Sequence, residues 1–447
     1  MFNKKKVVVI GAGVSGRGAV KLLLDKGAKV YVYDDVEERA QSLAKETGAK
    51  VVYGDNFPSV LSMCEYAVLS PGISVNSNVS VMAQALGVRV LSEIELAYFF
   101  CKGKILSVTG TNGKSSMVRL IGAMLRASEK NAHVCGNIGT PFSCVVDNVC
   151  EDEYAVVEVS SFQLETISEF KPHVAVFLNV KPDHLDRHAT MEEYVKTKAR
   201  LVKNMTDSDT VVGNYDDKNV REIMEKSSAR KLYFSTKCCV PEGVYLDGSD
   251  IVVSFLGRRY RAGEVSDLAN IRTPQENALA LLAVALVFDV QFGLVYKCLR
   301  EFAPLPHTMQ KIRSYNGINY VDDSKGTNIS ATLCAVRNTD GKVVLICGGR
   351  TKGENYAELF GELPSRIVGT VCVGENAEEL MNLSSRAGIS SCVAKDVTEA
   401  VSLASKEIEE CGGTVLFSPA TASFDLYNNY AERGNAFIDA VRAYAQE

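Results

Sequence analysis

Residues 105–116 read Ile105-Leu106-Ser107-Val108-Thr109-Gly110-Thr111-Asn112-Gly113-Lys114-Ser115-Ser116. The apolar run supplies a strand, the Gly-Thr-Asn-Gly turn bares backbone N–H groups, and Met117-Val118-Arg119-Leu120-Ile121 opens a helix. Consecutive N–H groups followed by a helix N-terminus make an anion cradle, and Lys114 adds a mobile positive charge for outer phosphates. Ser115 brings a hydroxyl suited to Mg2+. Val108 stands where the first glycine of the standard phosphate loop belongs, so a plain strand–turn–helix is the competing reading. The strand before and the helix after favour a chain that handles a nucleoside triphosphate.

Toward the N-terminus the alternation repeats. Val7–Ile10 reads as a strand, Gly11-Ala12-Gly13-Val14-Ser15-Gly16 as a tight turn, and the run from Ala19 to Leu24 as a helix ending at Gly27. Lys29–Tyr33 is a second strand, closed by Asp34 and Asp35. This is a βαβ unit with G-x-G-x-x-G at its turn, a place for a dinucleotide or other nucleotide diphosphate. A nucleotide-free α/β turn is the alternative.

Length and composition bound the rest. A chain of 447 residues suggests two to four domains. Hydrophobic residues at 46% and charged residues at 23% allow sizeable cores. A net charge of −5 argues against a nucleic-acid partner held through phosphates. Thirteen cysteines, an odd total with no C-x-x-C pair, read as reduced thiols of a cytoplasmic protein. The opening Lys4-Lys5-Lys6 and Val7–Ile10 superficially copy a secretory signal, but glycines and Arg17 break the apolar stretch and a strand fits better. The longest apolar run, Ala278 to Phe288, falls short of the ~20 residues that span a bilayer.

Ala155–Val159 and Val174–Asn179 are nearly continuous apolar runs of the kind found in covered parallel sheets, and Val240–Arg261 suggests a small antiparallel insertion. Further strands at 319–321, 343–346, 368–373 and 414–417, separated by helical patterns, make another α/β unit. Glu158 is a lone acid within a strand of valines, fit to hold Mg2+ beside phosphates; an edge-strand surface acid is the alternative. The loop Lys181-Pro182-Asp183-His184-Leu185-Asp186-Arg187-His188 suits Mg2+ or substrate contacts, or is a solvated charged loop. Lys198 falls on the same helical face as Met191, Tyr194, Val195, Leu201 and Val202. It is either an amine snorkelling to the rim or one facing an active site, where altered protonation or modification becomes possible. Asp322-Asp323-Ser324-Lys325-Gly326-Thr327-Asn328, Cys347–Gly353 and Ser418–Asp425 each follow a strand, and together suggest a pocket for a small anionic molecule.

On these residues the chain resembles the Mur ligases of bacterial cell-wall synthesis, over essentially its whole length. Thr109–Ser115, Gly136-Asn137-Ile138-Gly139-Thr140-Pro141, Glu158–Leu164, Asn179–Asp186, Asp323–Asn328 and Ser418–Asp425 match family motifs in the expected order. The resemblance implies an α/β chain of three domains. Residues 1–98 would form a Rossmann-like domain for the UDP part of the substrate, 99–304 a P-loop ATPase-type domain, and 305–447 a Rossmann-like domain for the amino acid. Asn112 stands where the alanine-adding branch has His, and the branches adding later residues lack the N-terminal glycine turn. Both features together imply addition of D-glutamate to UDP-N-acetylmuramoyl-L-alanine. The chain would be monomeric, without nucleic-acid or membrane partners.

By the same resemblance ATP rests on Gly110, Thr111, Asn112, Gly113, Lys114, Ser115 and Ser116, with Asn277 and Asp323 on the adenine and ribose side. Ser115, Ser116 and Glu158 would serve a first Mg2+; His184 and a carbamylated Lys198 would serve a second. Gly11, Gly13, Val14, Ser15 and Gly16 would approach the diphosphate, with Asp34, Asp35, Ser70, Pro71 and Gly72 in that cleft. Asn137, Ser160 and His184 would contact the sugar–peptide portion or metal. Thr327, Lys352, Ser423, Phe424 and Tyr430 would receive the amino acid, and Lys325 the phosphates or intermediate. Lys114, Lys198, His184 and Lys325 are the catalytic set. The sequence departs from the family at Thr308, where an arginine is usual, and at Thr273-Pro274, where His-Asn is usual. Closure of the third domain over the second is expected, to keep water from a reactive intermediate. A nicotinamide-dependent oxidoreductase, a nucleotide-gated regulatory protein and a folylpolyglutamate-type ligase are the rivals. The oxidoreductase would leave Lys114, Glu158 and Lys198 unexplained.

Overall fold

The computed structural model describes residues 1–363 and 365–445. Three sheets organise them. In the first, five parallel strands run in the order Lys50–Val51, Lys29–Tyr33, Lys6–Ile10, Tyr66–Leu69 and Arg89–Ser92. Val8 pairs with Tyr31 on one side and Ala67 on the other. Its central strand is therefore covered on both edges and reads as the unbroken apolar run seen in the sequence.

The second sheet has nine strands, with Lys104–Thr109 between Val174–Phe177 and Tyr154–Glu158. Leu106, Val108, Val156 and Val176 share a core with Met117, Leu120, Ile121 and Met124 of the helix Lys114–Ala127. The helix Gln275–Phe288 joins the same core and is buried without interruption from Asn277 to Ala285. Its apolar residues surround the axis, as expected of an interior helix. The stretch read as an antiparallel insertion instead extends this sheet. Gly243–Asp247 pairs parallel with Arg230–Ser235, Asp250–Phe255 then runs antiparallel to it, and Arg258–Glu264 turns back again beside Asp250–Phe255. A two-residue loop after Asp247 permits that hairpin, whereas parallel pairing needs a crossover.

The third sheet has six strands, in the order Gln310–Tyr315, Ile318–Asp322, Gly413–Phe417, Val343–Cys347, Ile367–Val373 and Ser390–Ala394. All pairs are parallel except the first. By its contacts the chain divides into two compact units. One holds Met1–Val180 with Glu192–Phe302; the other holds Lys181–Met191 with the residues from Ala303 on. The loop carrying His184 thus leaves the first unit and packs within the second. Among the described residues no helix is long and apolar enough to cross a membrane.

Candidate active site

Within the first unit, the phosphate loop closes the strand Lys104–Thr109 and passes into the helix Lys114–Ala127 through Gly113. Gly113 has φ +86°, and a Cβ there would sit 3.1 Å from the Asn277 amide. Only glycine meets both demands without strain. The sequence suggested a turn with bared N–H groups, but Asn179 occupies half of it. Its Oδ1 accepts from Thr111 N at 3.1 Å and Asn112 N at 2.9 Å, and its Nδ2 donates to Asn112 O at 3.2 Å. Those two N–H groups are scaffold, which leaves the helix start and Lys114 as the candidates for meeting an anion. The Lys114 ammonium donates to Gly110 O at 2.9 Å and Thr111 O at 2.7 Å, lying across its own loop.

Lys198 is 1% exposed. Its Nζ donates to Gly110 O at 2.9 Å and stands 4.7 Å from the centre of the Tyr194 ring. The snorkelling alternative is thereby removed: the amine lies inside, against the loop. Glu158 ends the neighbouring strand and is also 1% exposed. Asn137 Nδ2 donates to its Oε1 at 3.0 Å, while its buried Oε2 has no hydrogen-bond partner. A buried carboxylate oxygen left over beside a phosphate loop fits a hard divalent cation, and the Ser115 and Ser116 hydroxyls lie on the helix's first turn. Gly136 brings Asn137 to this strand end; a Cβ at Gly136 would meet Glu158 O at 2.3 Å.

Ser160 caps the short helix Ser161–Leu164 in a reciprocal pair with Gln163. Asn277 is buried, and its Nδ2 donates to Thr273 Oγ1 at 3.2 Å, so the unusual Thr273 orients the predicted adenine-side amide. Around the N-terminal turn, Ala12 N donates to Asp34 Oδ2 at 2.7 Å and Val36 N to Oδ1 at 2.9 Å. Asp34 therefore anchors the glycine turn itself. Asp35 accepts from Tyr33 Oη, and Ser70 Oγ donates to Gly11 O at 2.8 Å. Gly13 and Gly72 face open space, and Val14 is exposed. A cleft with about 210 Å3 of open space runs from Ser70 and Pro71 to Phe162 and Gln163.

The second unit gathers another group at the carboxyl ends of its strands. Asp323 accepts from Ser418 Oγ at 2.7 Å and Met309 N at 3.1 Å, and burial raises its pKa to about 7. Lys325 lies 5.7 Å from the Tyr430 ring centre. Lys352 is buried, with Nζ 2.6 Å from Asp183 Oδ1, and Asn328 Nδ2 donates to the other oxygen of Asp183 at 3.3 Å. His184 stands 3.6 Å from Asp183, in a left-handed backbone conformation with φ +55°. Thr327 is half-buried, Ser423 is buried, and Phe424 is 63% exposed. His184 and Lys198 fall in different units.

Three contributors escaped the sequence reading as site residues. Asp183 lies in the loop read from the sequence as suited to Mg2+ or substrate contacts, but was given no role of its own. Glu354 is buried with Oε1 unpartnered, and burial raises its pKa to about 7. Arg433 donates to Ser324 O and Thr421 O at 3.0 Å and to Ala422 O at 3.1 Å, tying two of the predicted turns together. Burial lowers its pKa to about 10. Its spacing from Phe437, Ala440 and Val441 is the same signal that singled out Lys198: a cation on an apolar helix face.

Three family models match successive stretches of the chain: "Mur ligase MurD-like, N-terminal domain" at residues 5–92, "Mur ligase middle domain" at 108–247, and "Mur ligase, glutamate ligase domain" at 308–421. The chain belongs to the Mur ligase family. Among curated relatives, the UDP-N-acetylmuramoylalanine–D-glutamate ligase of Lachnoclostridium phytofermentans is 34% identical over all of both chains. The enzyme of the same name from Caldicellulosiruptor saccharolyticus is 36% identical over 98% of each. Among solved structures, the UDP-N-acetylmuramate-alanine ligase MurC of Thermotoga maritima aligns with TM-score 0.57 at 17% identity, over 98% of this chain and 99% of that one. A pseudomurein peptide ligase type C from Methanothermus fervidus aligns with TM-score 0.58 at 17% identity, over 98% and 100%. These likenesses carry the fold.

Proposed function

We propose that this chain is an ATP- and Mg2+-dependent amide ligase. It joins D-glutamate to the L-alanyl carboxylate of UDP-N-acetylmuramoyl-L-alanine during assembly of peptidoglycan precursors in the cytoplasm. The observation that carries this reading is the buried Lys198 amine against Gly110 of the phosphate loop, beside the half-satisfied Glu158. A nicotinamide-dependent oxidoreductase has no use for that pair. The full-length kinship to proteins named as D-glutamate ligases supports this choice of substrates.

A carboxylate is a poor electrophile, so amide formation in water needs activation. The L-alanyl carboxylate attacks the γ-phosphorus of ATP, the bond to the β-phosphate oxygen breaks, ADP leaves, and an acyl phosphate results. The neutral amine of D-glutamate then attacks the acyl carbon, its nitrogen gives up a proton to solvent, and inorganic phosphate leaves the tetrahedral intermediate as the amide forms. Negative charge collects on phosphoryl and acyl oxygens, so positioning and neutralisation supply most of the catalysis. Lys114 and the helix start hold the outer phosphates, and Ser115, Ser116 and Glu158 would hold one Mg2+, which supplies charge neutralisation there. Asn277 and Asp323 serve the nucleoside, and Lys325 the phosphates or intermediate. The Lys198 amine would take up CO2 and release a proton to become a carbamate, and that carbamate and His184 would be the residues to hold a second Mg2+. Gly11–Gly16, Asp35, Ser70–Gly72 and Asn137 line the path of the UDP-linked substrate. Lys352, Thr327, Ser423, Phe424 and Tyr430 receive D-glutamate, with the Lys352–Asp183 pair opening as the incoming carboxylate takes the ammonium. The labour divides among residues 1–98, 99–304 and 305–447, in a monomer.

Phosphate release tests the reading, with ATP, Mg2+ and UDP-N-acetylmuramoyl-L-alanine offered alongside a panel of amino acids. D-glutamate alone is expected to support turnover. Turnover with a different amino acid would overturn the substrate; no ATP consumption with any would overturn the ligase.

A further inference from the structure

The cleft between Ser70–Pro71 and Phe162–Gln163 has walls from two different sheets, and one buried carboxylate joins them. Ser92 ends the strand Arg89–Ser92, lines the cleft and caps the helix Glu93–Tyr98, its Oγ accepting from Glu95 N. Thr166 lines the opposite wall, three residues before Glu169. Glu95 is fully buried, and its two oxygens accept from Glu169 N at 2.7 Å and Phe170 N at 2.9 Å. Each wall is thus three residues from the same double hydrogen bond. Arg89 pairs with Glu169 at 2.7 Å across the same junction, but at the surface, where such a pair contributes little. Charge-assisted bonds to a buried carboxylate are the stronger tie.

We propose that Glu95 is a positioning residue for the UDP-linked substrate: its carboxylate sets the spacing of the two cleft walls. This rests on the reading that the cleft receives that substrate. The carboxylate touches no reactant and acts only through the walls. Glutamine is nearly isosteric, yet it would turn one acceptor into a donor facing a backbone N–H, spreading the walls while leaving the phosphate loop alone.

The test is calorimetric titration of the full-length protein with UDP-N-acetylmuramoyl-L-alanine and, separately, with a non-hydrolysable ATP analogue and Mg2+. Glu95→Gln should weaken the first at least about tenfold and leave the second within about twofold. Glu95→Asp, which keeps both acceptors on a shorter arm, should fall between. Steady-state kinetics should follow, with KM for the UDP-linked substrate raised and kcat at saturation retained. Equal weakening of both ligands, or unchanged affinity for both, overturns the proposal. So does failure of both variants to fold, which would make Glu95 a folding residue instead. Failure of the unaltered protein to bind the UDP-linked substrate is a separate outcome: it removes the reading of the cleft, and the proposal with it.

Discussion

Lys198 is the residue at which pattern and packing meet. A lysine centred on an apolar helix face admitted two meanings, and its burial against Gly110 removes the one in which the amine reaches the rim. If the amine carries a carbamate, Lys198→Ala should lose at least about a thousandfold in turnover and regain a measurable part with added short-chain carboxylates. Absence of rescue by any carboxylate would count against that role. Glu354 supports a prediction of another kind. Burial raises its pKa from an ordinary 4.5 to about 7, so the folded chain holds this proton more tightly than the unfolded one. Between those values stability falls as pH rises. Glu354→Gln keeps an acceptor for the Tyr356 hydroxyl and removes the charge to be buried. Thermal melts of the two proteins should coincide near pH 4 and diverge up to pH 7, with the variant more stable by at most about 3 kcal/mol above that. A gap independent of pH would sink this account.

At the scale of elements, the phosphate loop is shaped from outside itself. Asn179 follows the strand Val174–Phe177 and satisfies two donors and one acceptor of the loop. Leaving a buried polar group unsatisfied costs about 1–3 kcal/mol. Asn179→Ala is therefore expected to raise KM for ATP by about tenfold to a hundredfold, with the UDP-linked substrate bound as before. Titration with an ATP analogue checks this, and Asn179→Asp, which keeps the shared acceptor, should be milder. Unchanged ATP affinity in the alanine variant would show that the loop holds its own shape. In the second unit, Arg433 plays a comparable part from the helix Tyr430–Tyr444, joining the turn at Ser324 to the turn at Thr421–Ala422.

For the molecule as a whole, parallel sheets explain why scattered motifs converge. Strands running one way deliver all their following loops to one edge, so Thr109, Glu158 and Asn179 meet although 70 positions separate the first from the last. The same rule brings the turns after Asp322, Cys347 and Phe417 together in the second unit, where the strands ending there are neighbours. The division into two units cuts across sequence order, because Lys181–Met191 packs with the later residues. Hydrophobic periodicity carries no trace of such an excursion, since it reports which face is buried and not against what.

From the sequence alone came both glycine turns and the strands around residues 7–10, 29–33, 105–109, 155–159, 174–177, 319–321, 343–346, 368–373 and 414–417, because each depends on local pattern: runs of apolar residues, and the φ freedom of glycine. It also exposed Lys114 through the glycine turn that precedes it, and Glu158 and Lys198 through charge set among apolar neighbours. Tertiary structure alone decided that Asn179 occupies the loop's first N–H groups, that Asp34 anchors the glycine turn, and that Asp183 is buried against Lys352. It also decided that Glu95 joins two sheets. Each of these is a polar group whose partner lies far along the chain or on the backbone. Hydrogen-bond partners at that distance follow from how the sheets pack, and leave no spacing in the sequence to read.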